Sequence, residues 1–170
     1  MNLTTRMIRA ARLDATLYEE VEGDAALTGQ ALAVVLLASL AAGIGALPRG
    51  VNTFVAVAVA AVISWYLWAF LSYLIGTRLL PDARTHADMG QLLRSIGFSS
   101  APGVIRAAGA IPGLGPLAFA VGNLWMLVAM VVAVRQALDY RSIWRALGVV
   151  AIGWVIYSAI LWLMMGGVRP

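Results

Sequence analysis

The sequence predicts an all-α, polytopic membrane helix bundle of five spans, with an N-terminal amphipathic interfacial helix. Three observations carry that prediction. Of 170 residues, 62% are hydrophobic and only 12% are charged, against about 25% charged in an ordinary soluble domain. The apolar runs reach the roughly 18 residues needed to cross lipid and show no two-residue alternation, so they read as helices rather than barrel strands. All 12 cations are arginines, and they sit at the ends of apolar runs as topology signals do. They form no patch of the kind that binds nucleic acid. The absence of cysteine excludes thiolate metal sites, disulfides and thiol redox chemistry.

Residues Met1 to Val21 read as one amphipathic helix. Leu3, Met7, Ala10, Ala11, Leu17, Tyr18 and Val21 recur at helical spacing with Arg6, Arg9 and Arg12 between them. Such a helix either lies on the membrane with its arginines among lipid phosphates or packs on the cytoplasmic ends of the spans. The acidic stretch from Asp14 to Asp24 stands where a cleavable signal would need its apolar core, so no signal peptide is expected. Residues 1–24 thus form a cytoplasmic segment and 25–170 the membrane domain. Within the first, Glu19, Glu20 and Asp24 could receive a basic partner or an ion. The commoner role for such acids is a solvated loop or a cap for the next helix.

The first span covers about Thr28 to Leu47, with Ser39 and Gly43, then Ala41 and Gly45, at the four-residue spacing that lets helix backbones approach closely. Pro48-Arg49-Gly50 makes a tight turn. The second span, Val51 to about Ile75, is long enough to tilt or protrude, and Trp65, Tyr66, Trp68, Phe70 and Tyr73 crowd its later half as an interface belt does. A polar connection follows, in which His86 reads as solvated and Thr85-x-x-Asp88 as a variant capping box opening the next helix.

That next helix, Met89 to about Ala110, is the informative one. It carries Arg94, Ser99, Ser100, Pro102 and Arg106. Pro102 lacks a backbone donor and disfavours helix at the residue before it, which predicts a break near Ser99–Pro102. Ile111 to Pro116 turns the chain. The fourth span covers about Leu117 to Ala137, and the fifth about Ile143 to Met165. Arg135 and Asp139, four residues apart, are expected to pair.

If the broken segment crosses, Arg6, Arg9, Arg12, Arg78, Arg84, Arg94, Arg135, Arg141 and Arg145 share one side, and only Arg49, Arg106 and Arg169 fall toward the other. If it does not, Arg135, Arg141 and Arg145 change sides. The positive-inside rule selects five spans, with the N-terminus cytoplasmic and the C-terminus outside.

Several segments carry a resemblance to a known family. Arg12-Leu13-Asp14 with Tyr18-Glu19-Glu20-Val21, then Leu74-Ile75-Gly76-Thr77, then Leu92 to Phe98 followed by Ala101-Pro102, and finally Asn123-Leu124-Trp125 leading to Arg135-Gln136-Ala137-Leu138-Asp139, together resemble the bacterial branch of the Yip domain family of Ypt/Rab-interacting membrane proteins. The resemblance spans nearly the whole chain. It implies five spans with the same orientation and a non-enzymatic adaptor role, and the all-arginine, alanine-rich composition fits a prokaryotic inner or plasma membrane. Eukaryotic relatives associate with prenylated Rab-type GTPases and with one another. Without their long N-terminal cytoplasmic region, a GTPase partner is not the expectation here.

Three function classes follow. The leading one is a membrane adaptor or organiser, with the bilayer, other membrane proteins or its own copies as partners. The alternative is a small transporter or channel whose polar site at the broken third span comprises Arg94, Ser99, Ser100, Pro102, Arg106 and Asn123. An enzyme stands third. The sequence offers no nucleophile–base pair, no catalytic residue and no cofactor motif. An ion site is imaginable between the acids at Glu19, Glu20 and Asp24 and Asp139, with His86 or Gln136 as a further ligand, and no metal is expected there.

Overall fold

Asn2 starts the first helix by accepting a hydrogen bond from the Thr5 amide at 2.9 Å, the capping that a short polar side chain gives to orphan N–H groups. In the computed structural model, which describes residues 1–166, this helix is α1, Leu3–Ala11. It stops where Leu13 adopts φ 62 and the Asp14 amide reaches back to the Arg9 carbonyl. Asp14 then caps α2, Ala15–Gly23, through the Thr16 amide. The predicted single amphipathic helix over Met1–Val21 is therefore two helices, folded back at Arg12–Asp14. The break depends on one residue in the left-handed region, which no periodicity announces.

Asp24 caps a 3-10 turn, Ala25–Leu27, that leads into α3, Thr28–Ala46. Gly50, at φ 109, closes the turn before α4, Val51–Leu74, which widens into a π turn over Ile75–Leu79. The helix expected from Met89 begins there, but its capping box is Asp88 with Gln91 rather than Thr85 with Asp88. Asp88 accepts from the Gln91 amide and Gln91 reaches back to the Asp88 amide, each at 2.8 Å, so α5 is Met89–Ser99. Thr85 instead donates to the Leu138 carbonyl, tying two loops together.

The predicted break is present. α5 ends at Ser99, and the chain continues as a ten-residue 3-10 helix over Ala101–Ala110. Runs of that geometry beyond three or four residues are uncommon. Pro102 removes one donor, and the Ser99 and Ser100 hydroxyls both donate to the Ile96 carbonyl, satisfying the last turn of α5. A 3-10 helix rises ~2.0 Å per residue against ~1.5 Å in an α-helix, so residues 89–110 reach roughly 36 Å despite the small number of apolar residues. The remaining elements are α6, Gly115–Ala137, and α7, Ile143–Gly166.

Among the described residues, four helical stretches are long and apolar enough to cross a membrane: Ala25–Arg49, Val51–Leu79, Gly115–Ala137 and Ile143–Ile160. The broken segment runs alongside the first of these. Gly97 faces Ala31, Gly103 faces Ala38, and Gly109 faces Gly45, so the two lie parallel over some 14 residues of α3, ~21 Å. Glycine is required at that contact, because a Cβ on Gly45 would overlap the Arg106 carbonyl. Gly43, on the adjacent face, meets Phe54 of α4 instead. The two small-residue pairs thus serve two neighbours.

One end of the bundle gathers α1, α2, the 80–88 connection and the turn between α6 and α7. Tyr140 donates to the Gly76 and Leu80 carbonyls, and Arg145 donates to the Pro81 carbonyl at 2.6 Å. Arg78, Arg84, Arg135, Arg141 and Arg145 lie on the segments that meet at this arginine-rich end, Arg94 reaches it through the Val21 carbonyl, and Arg6 and Arg9 pair with Glu20 of α2. Arg169 lies outside the described residues. Two apolar cores fill the interior. Ala10, Leu17, Tyr18 and Val21 pack on Ala31, Val34, Phe98, Ala101 and Ala133, while α4, α5, α6 and α7 enclose the other. α1 and α2 are therefore a built part of the bundle.

Candidate functional site

The polar residues of the broken span divide between two places. Arg94, although buried, points to the arginine-rich end. Its Nε donates to the Val21 carbonyl at 2.9 Å, and its Nη2 donates to the Glu22 carbonyl. These carbonyls are orphans in the last turn of α2, where a cation is also favoured by the helix dipole. Arg94 is a staple between α5 and α2 and is not part of the intramembrane site to which the sequence reading assigned it. Pro102 is buried and supplies the break.

Arg106, Ser99, Ser100 and Asn123 do come together. They line a cavity of about 470 Å³ shared by α3, α4, the broken segment, α6 and α7. Arg106 is 8% exposed and sits in the half of the bundle away from the arginine-rich end. Its Nε donates to its own turn at Gly103 and its Nη2 to the Ala38 carbonyl of α3, both at 3.1 Å. Two glycines make room for it. A Cβ on Gly122 would lie 2.8 Å from the Arg106 Cγ, and one on Gly103 would lie 2.9 Å from its Nη2. Arg106 is thus held in a fitted slot between α3, its own turn and α6.

The sequence reading missed the rest of the cavity wall. Ser39, Ser64 and Tyr157 add hydroxyls, with Ser64 and Tyr157 bonded to each other at 2.9 Å, and Trp65, Trp68 and Trp154 add aromatic surface. These residues come from three helices far apart in sequence, and no local spacing links them. The one available signal was the presence of serines inside apolar runs.

Of the proposed cytoplasmic cluster, Glu19 and Gln136 meet, while Glu20 and Asp24 are engaged elsewhere. Glu20 is held by Arg6 and Arg9, each at 3.0 Å. Burial opposes its ionisation, but the hydrogen bonds from the two guanidiniums keep its carboxyl below the ordinary value. Asp24 is spent as a cap. Glu19 accepts from Gln136 at 2.6 Å. Asp139 is exposed at φ 53, where an aspartate is tolerated, and ends α6 with the Tyr140 amide bonded to the Arg135 carbonyl. Arg135 donates to the Tyr140 and Arg141 carbonyls, and the expected Arg135–Asp139 pair is not among the ion pairs of the described residues. There, too, no three His, Asp or Glu side chains are placed to hold a metal ion.

Glu22 is the acid the sequence reading overlooked. Half-buried between α2 and the α6–α7 turn, it has one carboxylate oxygen buried without a partner among the described residues. Burial, then the negative charges of Asp139 and Glu19, push it up to about 7, and Arg94 only partly offsets them.

The family model described as the Yip1 domain matches residues 15–165. The chain belongs to the Yip1 domain family. Neither a curated protein nor a solved structure matches it. The Yip1 match begins at α2 and runs almost to the end of α7, so it contains both the cavity and the Arg94 staple. The Yip1 family is one of non-enzymatic membrane proteins, in keeping with an all-helical bundle whose apolar helices are long enough to cross a bilayer.

Proposed function

We propose that this Yip1-domain protein is a non-enzymatic organiser in a multi-pass membrane setting, working through its arginine-rich face. In this reading the chain crosses five times, with the broken segment third and α1–α2 on the cytoplasmic side of a prokaryotic inner or plasma membrane. The observation that carries the reading is how firmly α1–α2 is built into that face. Arg6 joins Glu20 and Gln30, Arg94 holds the end of α2, Gln136 holds Glu19, and the Trp125 indole donates to the Ala11 carbonyl at 2.8 Å. A rigid platform results, from which Arg12, Arg78, Arg84, Arg141 and Arg145 project exposed. Such a surface suits anionic headgroups and acidic segments of other membrane proteins or of a second copy. Photocrosslinking from Arg84 and Arg141 positions in native membranes tests it. Capture of a defined protein, itself included, is expected, and recovery of lipid alone would overturn the adaptor role.

The cavity favours a second reading, a small transporter for anions. Flux of a permeant anion into liposomes bearing the protein checks that reading, and no flux above protein-free vesicles rejects it.

A further inference from the structure

The cavity has a charge with nothing to neutralise it. All acidic side chains of the chain lie at Asp14 to Asp24, Asp82, Asp88 and Asp139. None occurs in α3, α4, α5, the 3-10 segment, α6 or α7, so no carboxylate side chain on those elements accompanies Arg106. Two of its nitrogens are spent on the Gly103 and Ala38 carbonyls, and the third, Nη1, has no protein partner among the described residues. Asn123, an exposed residue of the same cavity wall, has no side-chain hydrogen bond among the described residues, and Ser99 and Ser100 line the cavity as well. A buried guanidinium with an unspent donor, in a cavity that also presents an amide side chain, is an arrangement that receives an oxyanion.

The mouth says where the oxyanion comes from. Leu124 and Trp154 line the cavity yet are 63% and 58% exposed, so the cavity reaches the lipid-facing surface between α6 and α7. Its remaining wall is mainly apolar and aromatic. A free anion approaching by that route would have to leave water for hydrocarbon, whereas an amphiphile lying in the bilayer presents its head to Arg106 and leaves its chain against Leu124 and Trp154. The volume of about 470 Å³ falls in the range of small-molecule sites, ~300–1,000 Å³.

We propose that this cavity binds the phosphate or carboxylate head of a membrane amphiphile, entered sideways between α6 and α7 and held by Arg106 and Asn123. The site stands apart from both functional readings above, because binding without transport satisfies it and a failed flux or capture experiment leaves it intact.

The test uses the whole protein in neutral maltoside micelles, titrated with a phosphatidate whose acyl chains are brominated. Bromine beside Trp65, Trp68 and Trp154 quenches their fluorescence. Saturable quenching is expected for the native chain, weakened at least ~10-fold in Arg106→Gln, as loss of a charge-assisted bond implies. Asn123→Leu keeps the arginine slot intact and is also expected to weaken it, which guards against Arg106→Gln failing to fold. Arg49→Gln, at the turn between α3 and α4, is expected to bind as the native chain does. Excess inorganic phosphate is expected not to compete. Absent or non-saturable quenching in the native chain, or equal quenching in Asn123→Leu and any folded Arg106→Gln, overturns the proposal. Competition by inorganic phosphate assigns the site to a free anion and overturns the amphiphile.

Discussion

Replacing Gly45 with alanine probes a close backbone approach between α3 and the 3-10 segment. A Cβ there would overlap the Arg106 carbonyl oxygen and lie 3.0 Å from both the Arg106 carbonyl carbon and Phe119 Cε2. The first two are backbone atoms that no rotamer change can move. Relief requires α3 and the 3-10 segment to part, toward the ~3.5 Å at which carbon contacts become favourable. Overpacking of this kind costs ~1–3 kcal/mol. Parting also stretches the Arg106 Nη2 bond to the Ala38 carbonyl, now 3.1 Å, and a hydrogen bond to a charged group is worth ~1.5–3 kcal/mol. Against this, alanine returns ~1 kcal/mol of helix propensity. The net loss is ~2–4 kcal/mol, ~30-fold or more in the unfolding equilibrium. Gly29, in the same helix, has nothing within 4 Å, so Gly29→Ala isolates the propensity gain and is expected to stabilise by ~0.5–1 kcal/mol. The assay is reversible denaturant unfolding in mixed micelles, followed by far-ultraviolet circular dichroism. If Gly45→Ala proved as stable as Gly29→Ala, the parallel packing of α3 on the broken segment would be wrong.

Two further outcomes follow from the arginine-rich end. Glu22 has a folded-state value near 7 against an ordinary 4.5, so the folded state binds its proton more tightly. Its contribution to stability is greatest below pH 4.5 and is lost as pH rises through about 7. Stability measured from pH 4 to 8 should therefore fall less steeply in Glu22→Gln than in the native chain, and parallel slopes would refute the placement of Glu22 beside Asp139 and Glu19. Trp125→Phe removes the indole bond to the Ala11 carbonyl, worth ~1 kcal/mol. Amide exchange in α1 should rise ~5-fold with the spans unchanged, and unaltered exchange in α1 would show that the bond does not anchor it.

The spans were legible because each is a long apolar run closed by strong turn residues. α3 ends one residue from its expected limit, α4 one, and α6 starts two residues early, at Gly115 rather than Leu117. The break at Pro102 was legible for the same local reason, a missing donor. What came after it was not. The 3-10 form over Ala101–Ala110 depends on Gly45 and Gly122 on neighbouring helices, which let a slender, small-residue segment lie between α3 and α6. Side-chain destinations were the least legible. Arg94 and Arg106 look alike in sequence, 12 residues apart in one segment, yet one binds the orphan carbonyls of α2 and the other faces the cavity. Leu13 at φ 62 and the conversion of Glu20 from a candidate ion ligand into a partner for Arg6 and Arg9 are likewise set by tertiary contacts.

The third crossing is the central claim, and the chain suits a direct test because it has no cysteine. Single cysteines at Ile111, in the turn between the 3-10 segment and α6, and at Ala83, in the connection between α4 and α5, are labelled in intact cells with a membrane-impermeant maleimide, and again after permeabilisation. Five crossings predict that Ile111→Cys labels in intact cells and Ala83→Cys only after permeabilisation. Labelling of the two positions from the same side would contradict the account.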